Sequence, residues 1–252
     1  MYQAPLTVQP VKLQRRPSAQ RDTKMKDLSK RISALSPIKL ELLSQRHGKE
    51  RGLTPQGQVI PRRPKSDSLP PLSYAQERLW FLDQFERDKS IYNIPRTFLV
   101  TGPLDIQAVE RSFGEIVKRH EALRTTFKDV NGIPAQVIGK VGPFNLALVD
   151  LSGLSPEERE CEVTRLVTED ALTPFDLAQG PLMRVSLLRL DDEEYVVRFT
   201  LHHIVSDGWS TGVFVREWGA LYQAFSQGRP SPLAELPIQY ADFARWQRQW
   251  ME

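Results

Sequence analysis

The sequence predicts an α/β fold, with helices and strands alternating from Leu69 onward. Three observations carry this reading. Tyr195, Val197, Phe199 and Leu201 share one parity and are all apolar, while Val196, Arg198 and Thr200 take the other, which is the two-residue period of a strand. Ile106, Val109, Phe113, Ile116 and Val117 instead recur at helical spacing behind Asp105, a good N-cap residue. Asn131-Gly132, centred in Thr125–Ile138, is the sequence signal of a tight hairpin turn.

In chain order, residues 1–68 form a basic leader. Met1–Thr23 is polar and basic, and is expected to be disordered. Lys26–Gln45 has helical character through Leu28, Ile32, Leu35, Leu40, Leu42 and Leu43. Ser36-Pro37 divides it, with Ser36 as N-cap and Pro37 opening a second short helix. Arg46–Pro71 reads as linker, punctuated by Pro55, Pro61, Pro64, Pro70 and Pro71. Ser73 can then cap a helix whose apolar residues are Leu79, Trp80, Leu82 and Phe85. A strand over Arg96–Gly102 stops at Gly102-Pro103, and Asp105 opens the next helix. Ser155-Pro-Glu-Glu158 is a capping box for a helix reaching about Leu172. Strands over Met183–Leu190 and Tyr195–Leu201 are joined by the acidic turn Asp191–Glu194. After Ser210 a helix runs to about Gln227, burying Phe214, Trp218, Leu221, Tyr222 and Phe225, and Gly228 and Pro230 end it. Phe243, Trp246 and Trp250 fall at intervals of three and four, an aromatic stripe on a last helix.

Composition narrows the class. The 252 residues, 40% hydrophobic with five Trp, suffice for a sizeable core in one or two domains. Cys161 is the single cysteine, so no intramolecular disulfide forms; it falls in an amphipathic helical pattern and is expected in the core. This usage fits a reducing, cytoplasmic setting. Met1–Lys30 lacks the apolar segment of a signal peptide, and no run of about 18 apolar residues is present, so no membrane association is expected. The net charge of +3 hides an asymmetry: residues 1–65 hold 15 Lys or Arg and 4 Asp or Glu, whereas residues 66–252 hold 19 and 27. The globular part is therefore acidic. A basic leader can touch nucleic acid, but this one lacks interleaved aromatics and any binding-fold signature, so a solvated linker is the reading and no nucleic-acid partner is expected. There are no internal repeats and no Gly-rich phosphate loop.

The stretch with most chemistry is Thr200-Leu-His-His-Ile-Val-Ser-Asp-Gly-Trp-Ser210, between a predicted strand and a predicted helix. If the strand parity holds, His203 continues the core-side face and His202 faces the other way. A histidine at the end of a buried strand can have a shifted pKa and a fixed tautomer. Asp207 can anchor the loop, Gly208 permits a tight backbone, and Ser210 is a candidate N-cap. A histidine pair also invites a metal reading, but no other His, Cys or carboxylate sits at ligand spacing, and no metal site is expected.

His202-His203-x-x-x-Asp207-Gly208 resembles the active-site motif of the condensation domains of nonribosomal peptide synthetases, in the superfamily of chloramphenicol acetyltransferase-like acyltransferases. Three further segments resemble this family's motifs in order: Ser73, Ala75, Gln76, Arg78, Leu79, Trp80 and Leu82 of an opening motif; Arg119-His-Glu-Ala-Leu-Arg-Thr-Thr-Phe127; and Tyr240, Asp242, Phe243, Ala244, Trp246 and Gln247. The opening motif resembles that of domains joining two L-configured residues. The resemblance covers roughly residues 69–252. It implies a chloramphenicol acetyltransferase-like lobe, an α+β sandwich with a mixed sheet flanked by helices, preceded by the leader. Condensation domains have two such lobes, so residues 69–252 are expected to be the N-terminal one, with the C-terminal lobe absent.

The resemblance also implies a chemistry. An acyl group on the phosphopantetheine arm of an upstream carrier protein is attacked by the amine of an aminoacyl group on a downstream carrier. His203 is the expected catalytic residue, either as general base or by orienting the amine. His202, Asp207, Gly208, Arg124, Trp209 and Ser210 are expected supports, with Arg124 pairing with a buried Asp207. His120 is read as structural. No cofactor is expected to be bound by the chain itself; 4'-phosphopantetheine arrives on the carriers, and adjoining synthetase modules are the other expected partners. Rival readings are a free-standing acyltransferase using a coenzyme A thioester, an epimerization domain, and a non-catalytic remnant that docks a carrier.

Overall fold

The structure is a computed structural model and describes residues 7–10, 59–64, 69–86 and 88–251. The helical pattern in Lys26–Gln45, with Ser36 and Pro37, lies outside the described residues. The described residues from Ile60 onward, together with Thr7–Pro10, form one compact unit, and everything below concerns this unit.

Its centre is a five-stranded mixed sheet in the order β1 (Thr7–Pro10), β2 (Asn93–Thr101), β7 (Glu194–His202), β6 (Met183–Asp191), β5 (Ala147–Asp150). All neighbours are antiparallel except β5 and β6, which run parallel. A separate hairpin is made by β3 (Thr125–Val130) and β4 (Ile133–Ile138). Asn131 and Gly132 at its tip have φ of 57° and 82°, the two positive values that a type I′ turn demands. Among the described residues five helices complete the unit: α1 (Tyr74–Phe85), α2 (Ile106–Arg119), α3 (Pro156–Leu172), α4 (Gly208–Phe225) and α5 (Tyr240–Met251). Short 3-10 turns occupy Lys89–Tyr92 and Glu121–Arg124.

The sheet has cores on both faces. On one, Tyr195, Val197, Phe199 and Leu201 of β7 pack with Val109, Phe113 and Ile116 of α2 and Phe214, Trp218 and Leu221 of α4. On the other, Val196 of β7 with Leu188 and Leu190 of β6 meets Val163 and Leu166 of α3. A third cluster, Leu72, Phe127, Phe175, Leu177, Leu182 and Ile204, seals the end of the sheet where β7 stops. This is the helix-covered mixed sheet that the sequence predicts.

Helix starts follow local chemistry. Ser73 and Gln76 form a reciprocal capping box, as do Ser155 and Glu158, and Asp105 accepts the Ala108 N–H. Gly228, with φ of 69°, stands past the end of α4.

Three expectations fail here. Thr7–Pro10, within the stretch expected to be disordered, pairs with the outer edge of β2, because an open strand edge offers backbone partners that composition does not reveal. Cys161 is exposed: it sits on the outer side of α3, whose apolar stripe is carried by other residues. In α1 the apolar pattern misleads. Phe85 is 72% exposed, and the buried side chains are Gln76 and Asp83, seven residues apart on one face.

The linker is also more than linker. Arg63 donates to Glu121 at 2.5 Å and to buried Asp242 at 2.9 Å, and its backbone N–H reaches the same Asp242 oxygen; Arg62 donates to the Leu236 carbonyl. These bonds strap residues 62–63 across the start of α5. Arg63→Ala leaves the Asp242 carboxylate buried with only two backbone donors, and is expected to lower stability by about 2 kcal/mol in urea denaturation, with Arg63→Lys losing less. An Arg63→Ala chain as stable as wild type would show the strap to be inert.

Candidate active site

The four motif segments converge through side chains. α5 lies on the start of α1: Tyr240 Oη and Ser73 Oγ are 3.0 Å apart, Gln247 accepts the Tyr74 N–H, and Arg248 bonds the Leu72 carbonyl and Glu77. Arg119 and His120, at the end of α2, both bind Glu217 of α4, at 3.3 and 2.6 Å. Glu217 is nearly buried, so two donors on one carboxylate tie α2 to the helix that follows the histidine motif.

β7 ends at His202, and the chain then turns through Val205 into α4. His202 is fully buried. Phe175 and Tyr92 approach its ring edge-on at centroid distances of 6.1 and 6.0 Å. Its Nδ1 accepts the Ile204 N–H at 3.1 Å, so the neutral ring carries its proton on Nε2, which has no hydrogen-bond partner among the described residues. Burial, aided by the charges of His203 and Lys89, pushes its pKa down to about 4. His202 is thus held neutral.

His203 is exposed, and its N–H donates to the Tyr92 carbonyl at 2.9 Å. The expected orientation of the pair is therefore reversed: His202 is the core residue and His203 the outward one. Parity failed for two reasons. Both faces of β7 are covered, so alternation does not mark inside from outside, and the strand period stops at His202, where the turn begins.

Asp207 is the N-cap of α4. One of its carboxylate oxygens accepts the Ser210 N–H at 2.7 Å and the Ser210 hydroxyl at 2.6 Å. Those bonds, more than the nearby charge of His203, hold its pKa below the usual carboxylate range. The cap thus falls three residues before the expected Ser210, which returns the bond from inside the first turn. Gly208 begins the helix, and a Cβ there would meet nothing within 4 Å. Trp209 is 84% exposed beside it.

The expected pairing of Arg124 with Asp207 is absent, and Asp207 is not buried. Arg124 lies at the base of the β3–β4 hairpin. Its guanidinium donates to the Gly139 carbonyl and faces Glu121 at 3.7 Å, while the Gly139 N–H returns to the Arg124 carbonyl. A Cβ at Gly139 would come within 2.9 Å of that carbonyl, so the closure requires glycine. Arg124 is committed to closing the hairpin, and Asp207 to capping α4. Asp207→Ala is accordingly expected to cost about 1 kcal/mol, the value of a lost cap, not the larger loss of a broken buried pair. Asp207→Asn should restore most of it in chemical denaturation.

Among the described residues no group of three or more His, Cys, Asp or Glu is placed to hold a metal ion, and no helix is long and apolar enough to cross a membrane. A surface depression of about 420 Å³ lies at the opposite end of β7, beside Tyr195, Tyr222, Asp105 and Asp192.

The fold and site thus define a helix-covered mixed sheet with an exposed histidine at the end of a central strand, leading directly into a capped helix. Residues 67–252 match the family model of the condensation domain, and the chain belongs to that family. It is 49% identical over 186 residues to the chondramide synthase cmdD of Chondromyces crocatus, covering 74% of this chain and 5% of that one. It is 42% identical over 228 residues to the phosphinothricin tripeptide synthetase PhsC of Streptomyces viridochromogenes, covering 90% and 21%. Among solved structures, the X-domain from teicoplanin biosynthesis superposes with a TM-score of 0.68 at 28% identity, covering 77% of this chain and 41% of that one. The chain thus spans a small part of these curated relatives and about two fifths of the solved chain.

Proposed function

We propose that this chain supplies the histidine-bearing lobe of a condensation domain that forms amide bonds between thioester-bound substrates in nonribosomal peptide synthesis. The observation that carries this is the exposed His203, its backbone pinned by Tyr92, inside a His-His-x-x-x-Asp-Gly segment of a family member. In this reading the amine nitrogen of the downstream aminoacyl group attacks the thioester carbonyl carbon. The C–N bond forms, the C–S bond breaks, and the phosphopantetheine thiol leaves with a proton. His203 accepts the amine proton or orients the amine by a hydrogen bond. His202, kept neutral, packs behind it without adding a second positive charge. Asp207 and Ser210 hold the first turn of α4, and Gly208 leaves open space where a pantetheine arm can pass.

The partners in this reading are upstream and downstream carrier proteins and adjoining synthetase modules, and the opening motif supports two L-configured substrates. The other side of the reaction channel belongs to a second lobe. The residues available to meet it are on α5, where Trp246 and Trp250 stack at 5.8 Å and Trp250 is 51% exposed. The test is a condensation assay with two loaded carriers, following the dipeptidyl thioester by mass spectrometry. The domain within a two-lobed synthetase should form product. The 252-residue chain alone should not, and light scattering should show it associating. Robust turnover by a monomer of this chain would overturn the lobe reading, and no product in either setting would overturn the activity.

A further inference from the structure

The one buried carboxylate of α1, Asp83, has no place in the chemistry proposed above. It is 2% exposed, in a helix where the neighbouring Phe81 and Phe85 are turned to solvent. One oxygen accepts from Lys89 Nζ at 2.9 Å; the other has no hydrogen-bond partner among the described residues. Burying a carboxylate is costly unless a charge compensates it, and Lys89, whose own side chain is 42% exposed, supplies that charge and links the two elements. Lys89 is the first residue of the 3-10 turn Lys89–Tyr92, and Tyr92 is the last. The Tyr92 carbonyl is the acceptor for the His203 N–H, and its ring lies edge-on to His202. A continuous path therefore runs from α1 through the ion pair and one 3-10 turn to the backbone of His203.

We propose that Asp83 and Lys89 are positioning residues for His203, clamping the Lys89–Tyr92 turn so that the Tyr92 carbonyl holds the histidine backbone at the end of β7. This rests on the reading of His203 as the reacting histidine. On the far side, Tyr92 is continuous with β2, whose Asn93 pairs with His202 and donates to the Ala171 and Thr173 carbonyls. The turn is thus fixed at both ends, by the β2 ladder after it and by the ion pair before it. Lys89 has a second effect from the same place: its charge adds to burial in disfavouring a proton on His202.

The chain has four histidines, which makes the test direct. In 15N-histidine-labelled protein, hydrogen exchange of the His203 amide is compared with two internal controls: His120, bonded to Ile116 in α2, and His202, bonded to Leu182. Lys89→Met and Asp83→Asn should each speed exchange of the His203 amide about tenfold and leave both controls within twofold. Lys89→Arg, which keeps the charge and its reach, should restore wild-type protection. In the two-lobed synthetase, Lys89→Met should lower kcat about tenfold with KM for either carrier within twofold. Unchanged protection of His203 in Lys89→Met would overturn the proposal. A uniform rise at all three amides would overturn it too, since the pair would then stabilise the fold as a whole. If the wild-type synthetase forms no amide, the function proposed above fails, while the exchange experiment still decides whether the clamp exists.

Discussion

Replacing His203 by alanine is expected to lower amide formation by about 10²–10⁴-fold in the two-carrier assay, the range lost when a positioned acid–base group is removed. The fold should hardly notice. The side chain is exposed and makes no hydrogen bond among the described residues, and the backbone bond to Tyr92 does not depend on it. Stability should therefore stay within about 0.5 kcal/mol of wild type, as for most surface changes. This separation of activity from stability makes the experiment informative. Wild-type turnover in His203→Ala would remove the residue from the mechanism, and a large fall in melting temperature would mean that its exposed placement is wrong.

His202 is expected to show the opposite behaviour, and pH is the means of seeing it. Burial lowers its pKa from about 6.5 to about 4, so the folded chain resists a proton that the unfolded chain accepts. The resulting stabilisation is complete above pH 6.5 and is lost as pH falls towards 4. By pH 4.5 the loss from this one group is about 2.5 kcal/mol. Other groups titrate over the same interval, so the comparison is with His202→Gln, which cannot take the proton. The variant should be less stable than wild type at pH 7, because the ring fills space between Tyr92 and Phe175. Its stability should fall by about 2.5 kcal/mol less between pH 7 and pH 4.5. Equal losses in the two proteins would show that His202 titrates normally and is not sealed.

The pattern of success in reading the chain follows the range of the interactions. The Asn131-Gly132 turn, the Asp105 cap and the Ser155–Glu158 box were legible because each is settled within about four residues. The family was legible for another reason: its motif residues are specified by identity and order, which need no coordinates. The pairings among those residues were not legible. Arg63 meets Asp242 across 179 positions and His120 meets Glu217 across 97. At such separations any acidic residue is an equal candidate for any basic one. The resemblance implies Asp207 as the partner of Arg124, whereas in this fold Arg124 bonds the Gly139 carbonyl, an acceptor that nothing local announces.

The sequence by itself determined the alternation of helices and strands, the turns and caps between them, and the segment that carries the chemistry. Tertiary structure alone decided which histidine of the pair is buried. It also decided that Asp83 is internal while Phe85 is exposed, and that Arg63 is strapped to the start of α5. The physical reason is common to all three. Periodicity tells which residues share a face, but whether a face is inside depends on what covers it. In this unit both sides of β7, Gln76 of α1 and the Asp242 carboxylate meet segments distant in the chain.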